Sequence, residues 1–229
     1  MSSKQDIIER LELQLNIAEQ VRIKLSDDPK ALQQRDALRT CQAARLAQTH
    51  ADLLESPRFH DTAQFFLTDI YGPKDLNRHI EQLRRLVPVI TKVLGANALE
   101  IVADAVELNS LSESLDADMI ANLRDKVFKL TEAHYIAAYR ATNRREDRER
   151  QIDLISHLGH ALDPLTRKPL IGTTLLLMRN PAALTGLSDL QNFLERAYAA
   201  FCKMKGANEF LTTITTRERE LMRTWFAAA

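Results

Sequence analysis

Phe65-Phe66-Leu67-Thr68-Asp69-Ile70-Tyr71-Gly72-Pro73-Lys74-Asp75 is the densest aromatic run in a chain that is only 6% aromatic. Phe66, Leu67, Ile70 and Tyr71 stand at spacings of three and four, which puts them on one face of a helix, with Phe65 beside it and Ala63 one turn back. Ser56-Pro57 offers a start, because Ser caps a free amide and Pro loses nothing in a first turn. Gly72-Pro73 offers a stop, and Asp75 caps the next helix. A helix this short is not stable alone in water. Each of its large apolar side chains gains about 1.5–3 kcal/mol on burial. The segment therefore reads as a plug at the centre of an all-helical fold. The competing reading is an exposed aromatic docking patch.

Working outward, Leu76, Ile80, Leu83, Val87, Ile90 and Leu94 form the cleanest amphipathic stripe of the first half, with Pro88 set to kink or shorten it and Gly95 closing it. Upstream, Ile8, Leu11, Leu15, Ala18 and Leu25 share a face of a first helix from Gln5 to Leu25. Ser26-Asp27-Asp28-Pro29 then starts a second helix, reaching Leu54, whose thin apolar stripe suits the surface. Downstream, Ile101, Ala105, Leu108 and Leu115 mark a helix from Asn97. Asp116 or Asp118 caps another, carrying Ile120, Leu123, Val127, Leu130, His134, Ala137 and Ala141 on one line.

The charged run Arg144 to Arg150 mixes signs at helical spacing and reads as a solvated face with weak ion pairs, before Ile152, Ile155, Leu158, Leu162 and Leu165 resume the pattern. Leu170 to Met178 is apolar nearly all round and reads as a buried helix. Ser188 with Gln191 forms a capping box ahead of Leu190, Leu194, Ala197, Phe201 and Met204. The last segment, Glu209 to Phe226, is expected to break at Thr215 or Thr216. No stretch alternates as strands do. The expectation is an all-α, single multi-helix bundle-like domain over residues 1–229, of about eight to ten helices, with a possible sub-division near Gly95.

At Phe65-Phe66-Leu67-Thr68-Asp69-Ile70-Tyr71 the chain resembles the signature of the FFLEELY motif proteins, an uncharacterised bacterial family. Thr68, Asp69 and Ile70 depart from the name motif, and Thr68 removes a carboxylate. The resemblance implies a bacterial, cytoplasmic context and no mechanism. Any chemical role of the family's first Glu is absent here.

Lys plus Arg and Asp plus Glu balance at 31 each. A dedicated nucleic-acid binder carries a basic excess, so that class is disfavoured. Cys41 and Cys202 lie among apolar neighbours without a CxxC or zinc spacing and read as free buried thiols of a reducing cytoplasm. The N-terminus has no apolar signal core, and no apolar run is long enough to span a bilayer.

Among residues able to carry chemistry, His134 stands on the apolar line of its helix. It is expected either as a hydrogen-bonded core residue or as a polar anchor in a pocket. Asp153, His157, His160 and Asp163 follow at helical spacing, a weak candidate for a metal site, though Gly159 and Pro164 weaken the helix there. Arg78-His79 and Arg84-Arg85 are read as a solvated polar face or a small anion site. No His has Glu three residues before it, which argues against a di-iron bundle, and glycine-rich phosphate loops and a Gly-x-Ser-x-Gly elbow are absent. No cofactor signature is present. These absences favour a non-enzymatic interaction or adaptor protein, with a protein partner or a homodimer. The alternative is a helical sensor holding an apolar ligand or cofactor near Phe66, Tyr71 and His134.

Overall fold

The computed structural model describes residues 3–70, 77–123 and 130–227, and there the chain forms eleven α-helices and no strand. Helix α1 (Lys4–Ser26) opens on a reciprocal capping box between Ser3 and Asp6, and α2 (Pro29–Thr49) on the Asp28 carboxylate, which accepts from the Lys30 amide at 2.9 Å. Short helices α3 (Ala51–Glu55) and α4 (His60–Phe65) follow, and α4 widens into a π-turn over Phe66–Ile70. Then come α5 (Asn77–Val93), α6 (Ala96–Leu123), α7 (Glu132–Ala141), α8 (Arg145–Thr166), α9 (Pro169–Leu184), α10 (Ser188–Met204) and α11 (Asn208–Ala227).

Three apolar clusters hold these helices. Ile7, Leu11 and Leu15 of α1 meet Val87 of α5 and Leu99, Ala103 and Val106 of α6. The other half of α6, through Met119, Ile120 and Leu123, meets Leu38 of α2, Tyr135 and Tyr139 of α7, and Met222 and Trp225 of α11. The first turns of α11, with Phe210 and Leu211, join Phe201 and Met204 of α10 and Phe59 and Ala63 beside and within α4. Helices α6 and α11 each serve two clusters, so they tie the three together. Tyr139 and Trp225 pack edge to face, with centroids 4.9 Å apart.

Several expectations change. The eleventh helix arises because the predicted second helix breaks at His50. Helix α6 runs unbroken through Asp116, which caps nothing; it is buried within the helix and accepts from Gln42 Nε2 at 2.8 Å. Helix α2 is not a surface helix either. Arg39 and Gln42 are buried against α6, with Arg39 paired to Glu113. Arg148, in the charged run, is also buried, its guanidinium 4.3 Å from the Tyr139 ring centre. Helix α11 passes straight through Thr215, whose hydroxyl turns back to the Leu211 carbonyl. Helix α5 likewise continues through Pro88, and its stripe from Ile80 to Leu94 packs as expected.

The largest reversal is α9. Leu170, Leu176, Leu177 and Met178 were expected inside, yet they are 75%, 57%, 72% and 46% exposed. Helix α9 rests mainly on α10 and leaves its other side uncovered. The capping box at Ser188 does not form: Gln191 is buried and donates instead to the Leu175 carbonyl of α9 at 2.6 Å. Gln82 of α5 caps α10 in its place, accepting from the Leu190 amide at 2.8 Å.

The motif segment packs inward, with its buried line one notch from the predicted one. Thr62, Ala63, Phe65 and Asp69 are buried, and Phe66, Leu67 and Ile70 are half-buried. Asp69 pairs with Arg196 of α10 at 2.6 Å. Tyr71, the Gly72-Pro73 stop and the Asp75 cap lie outside the described residues, as does Val127.

Candidate functional site

The half-buried side of the motif forms one wall of a pocket. Phe66 and Leu67 face it from the π-turn, Leu46 and Leu53 from α2 and α3, Ile155 from α8, and Phe210 and Ile214 from α11. The cavity measures about 50 Å³ and is partly open. A π-turn adds one residue to a helical turn and rotates the side chains beyond it, a device that recurs at functional sites. Here it sets Asp69 inward to Arg196 while Phe66 remains on the pocket, edge-on to Phe210 at 5.5 Å.

The polar end of the pocket is built around His50. Helix α2 stops there because His50 leaves helical geometry (φ −118°, ψ 29°), while its amide still reaches the Leu46 carbonyl at 3.0 Å. Its own carbonyl then accepts from the Leu53 and Leu54 amides and starts α3. The residue is thus held by backbone bonds on both sides, and its ring meets α11, where Nε2 lies 3.0 Å from Glu218 Oε1. Arg45, one turn earlier in α2, donates to both Glu218 oxygens at 2.6 and 2.7 Å. Burial pushes the Glu218 carboxyl up, but the His50 hydrogen bond and the Arg45 charge outweigh it and leave its pKa lowered. Glu218 is therefore a carboxylate and an acceptor, so Nε2 of His50 carries a proton and donates. In a neutral ring Nδ1 is then an acceptor. That nitrogen is buried and has no hydrogen-bond partner. Leaving a buried polar atom unpaired costs about 1–3 kcal/mol.

A Glu–His pair resembles the orienting half of a catalytic triad, but the nitrogen a nucleophile would use meets no hydroxyl or thiol. Cys41 and Cys202 are free and half-buried, and neither lines the pocket.

The residues singled out from sequence fall differently. Phe66 lines the pocket. His134 does not, and it is neither core nor anchor: it is exposed. Its predicted line assumed one helix from Asp116 to Ala141. Instead the chain is not helical at Leu130 and Thr131, and the Thr131 side chain caps a new helix, accepting from the His134 amide at 3.3 Å. The restart resets the phase, so Tyr135, Ala138 and Tyr139 turn inward. Asp153, His157 and His160 are exposed and engage separate partners. Asp153 pairs with Arg219, His157 with Asp104 at 3.3 Å, and His160 Nδ1 with the Ser156 carbonyl at 2.7 Å. Among the described residues, no group of three or more His, Cys, Asp or Glu is placed to hold a metal ion. His50 was missed although it lies between Leu46 and Leu53, on the pattern that drew attention to His134.

Fold and site together define an all-helical chain with an apolar pocket ended by a buried His50 and the half-buried Arg45–Glu218 pair. A family model described as Domain of unknown function (DUF8198) matches residues 22–229, and the chain belongs to that family. No curated protein and no solved structure matches it. Among the described residues, no helix is long and apolar enough to cross a membrane.

Proposed function

We propose that this protein is a non-enzymatic interaction module that pairs with a second copy of itself through the outer side of α9. One observation carries the reading. Leu170, Leu177 and Leu184 stand seven residues apart on α9 and are 75%, 72% and 89% exposed. Side chains at that spacing stay on one stripe and seat against a facing helix. Contiguous exposed apolar surface of this kind marks interaction sites. A second copy is the fitting partner because a two-fold pair uses the same patch on both chains. The chain carries no net charge, so its copies do not repel at long range. The chain acts as a single unit in this reading, in the bacterial cytoplasm that the motif resemblance implies.

Sedimentation velocity tests it. The wild-type chain is expected to sediment as a dimer at micromolar concentration, and Leu177→Glu/Leu184→Glu as a folded monomer. A wild-type chain that stays monomeric throughout the micromolar range overturns the reading.

A further inference from the structure

We infer that two copies of the chain pair with their α9 helices antiparallel, about a two-fold axis beside Leu177, and that this sets Lys168 of each copy against the C-terminal end of the partner's α9. This pairing rests on the self-association proposed above and adds its orientation and the residue that fixes it.

A two-fold pair can lay α9 on its copy in two ways: an axis along the helix makes the pair parallel, and an axis across it makes the pair antiparallel. The leucine stripe suits both. Leu170, Leu177 and Leu184 are evenly spaced, so reversing one helix about Leu177 puts Leu170 level with the partner's Leu184 and keeps stripe on stripe. The ends of α9 decide. A helix carries partial positive charge at its N-terminal end and partial negative charge at its C-terminal end. Acids in the first turn and bases in the last offset these charges, and α9 has neither. The exposed Lys168 stands at the N-cap, where its side chain caps no amide and adds to the positive end. At the other end Gln82 Nε2 donates to the Gly186 carbonyl at 3.0 Å and to Asp189 Oδ2 at 3.2 Å, so a carboxylate lies beside the last turn and adds to the negative end. Helices in contact lie about 8–10 Å apart, comparable to the screening length at physiological salt. Like ends therefore repel in a parallel pair, and unlike ends attract in an antiparallel one. Antiparallel pairing about Leu177 brings Lys168 level with the partner's Gly186, and the exposed Thr174 level with the partner's Asn180.

Chemical cross-linking of the full chain tests the orientation, with a bismaleimide that spans about the 8–10 Å between packed helices. Leu170→Cys and a size-tagged Leu184→Cys are expected to cross-link to each other when mixed. Neither should cross-link to itself, because like positions in the antiparallel pair stand about 21 Å apart along the helix. The wild-type chain, whose Cys41 and Cys202 are half-buried, is the control. Sedimentation velocity of Lys168→Ala reads the same orientation without touching the stripe: its dimer is expected to be about threefold weaker than that of the wild type. If the cysteine variants do not dimerise, Lys168→Ala decides alone. Self cross-linking of either cysteine variant without a mixed product overturns the antiparallel pairing. A Lys168→Ala dimer as tight as the wild type, or tighter, overturns Lys168 as the residue that fixes it. In both of those outcomes the dimer persists and self-association stands, whereas a wild-type chain that stays monomeric overturns both readings.

Discussion

Helices α6 and α9 invert what their compositions announce. Helix α6 carries Glu100, Asp104, Glu107, Glu113, Asp116 and Asp118, yet it lies at the centre and contributes to two of the three clusters. Helix α9 has Arg179 as its one charged residue, yet most of its leucines face outward. The difference lies in partners. Each acid that α6 turns inward meets a group sent by another helix: Arg10 of α1 at Asp104 and Glu107, Arg39 of α2 at Glu113, and Gln42 at Asp116. Helix α9 rests on α10 and, more lightly, on α8, and its other side is uncovered. Burial is thus decided by which faces find complementary neighbours, and a buried charge with a partner can outrank an apolar side chain without one.

The strongest way to break this comparison is to remove a partner from α6. Arg39→Ala leaves Glu113 buried without its cation and is expected to cost about 3–5 kcal/mol in chemical denaturation. Arg39→Met with Glu113→Leu replaces the pair by apolar groups and should recover most of that loss. If Arg39→Ala melts like the wild type, the buried pair is not what holds α2 on α6.

A smaller effect comes from pH. Burial, opposed by Arg39, raises the Glu113 carboxyl above its ordinary 4.5, and burial likewise raises Asp116 above 3.8. A raised folded-state pKa means that the folded chain holds the proton more tightly than the unfolded one. Between the ordinary and the raised values, stability therefore falls as pH rises. Glu113→Gln cannot titrate and escapes that fall. The stability by which the wild type exceeds the variant is expected to be greatest near pH 4.5, where the folded chain holds the Glu113 proton, and to shrink toward pH 7. Other carboxyls, Glu218 among them, are lowered and act with the opposite sign, so the difference between the two melting curves is the quantity to follow. A gap that widens with pH contradicts the assignment.

The same inversion explains what could be read from sequence. Periodicity reports which residues share a helix face, so the all-α class, the Asp28-Pro29 start of α2 and the α5 stripe were all legible. It does not report whether that face has a neighbour, and α9 was misplaced for that reason. Phase is only as good as continuity, so His134 failed when Thr131 restarted the helix. His50 had a visible pattern, but its partner Glu218 lies 168 residues away, where no local rule reaches. Asp69 reads in the sequence only as a departure from the name motif; its partner Arg196 is 127 residues distant.

The smallest effect belongs to α9, and there the comparison can be sharpened. Leu177 is 72% exposed, so its side chain contributes little to the fold of one chain. Surface substitutions away from special features change stability by at most about 0.5 kcal/mol. Leu177→Glu should therefore unfold like the wild type at high dilution, where each chain stands alone. At higher concentration the two should part, because association that exists only in the folded state raises the melting temperature with concentration. The wild-type melting temperature is expected to climb between about 1 and 100 µM, and that of Leu177→Glu to stay level. Parallel curves would remove self-association as the reason that α9 keeps its leucines. A large loss in the dilute Leu177→Glu chain would instead show α9 to be part of the core, and the contrast with α6 would fail.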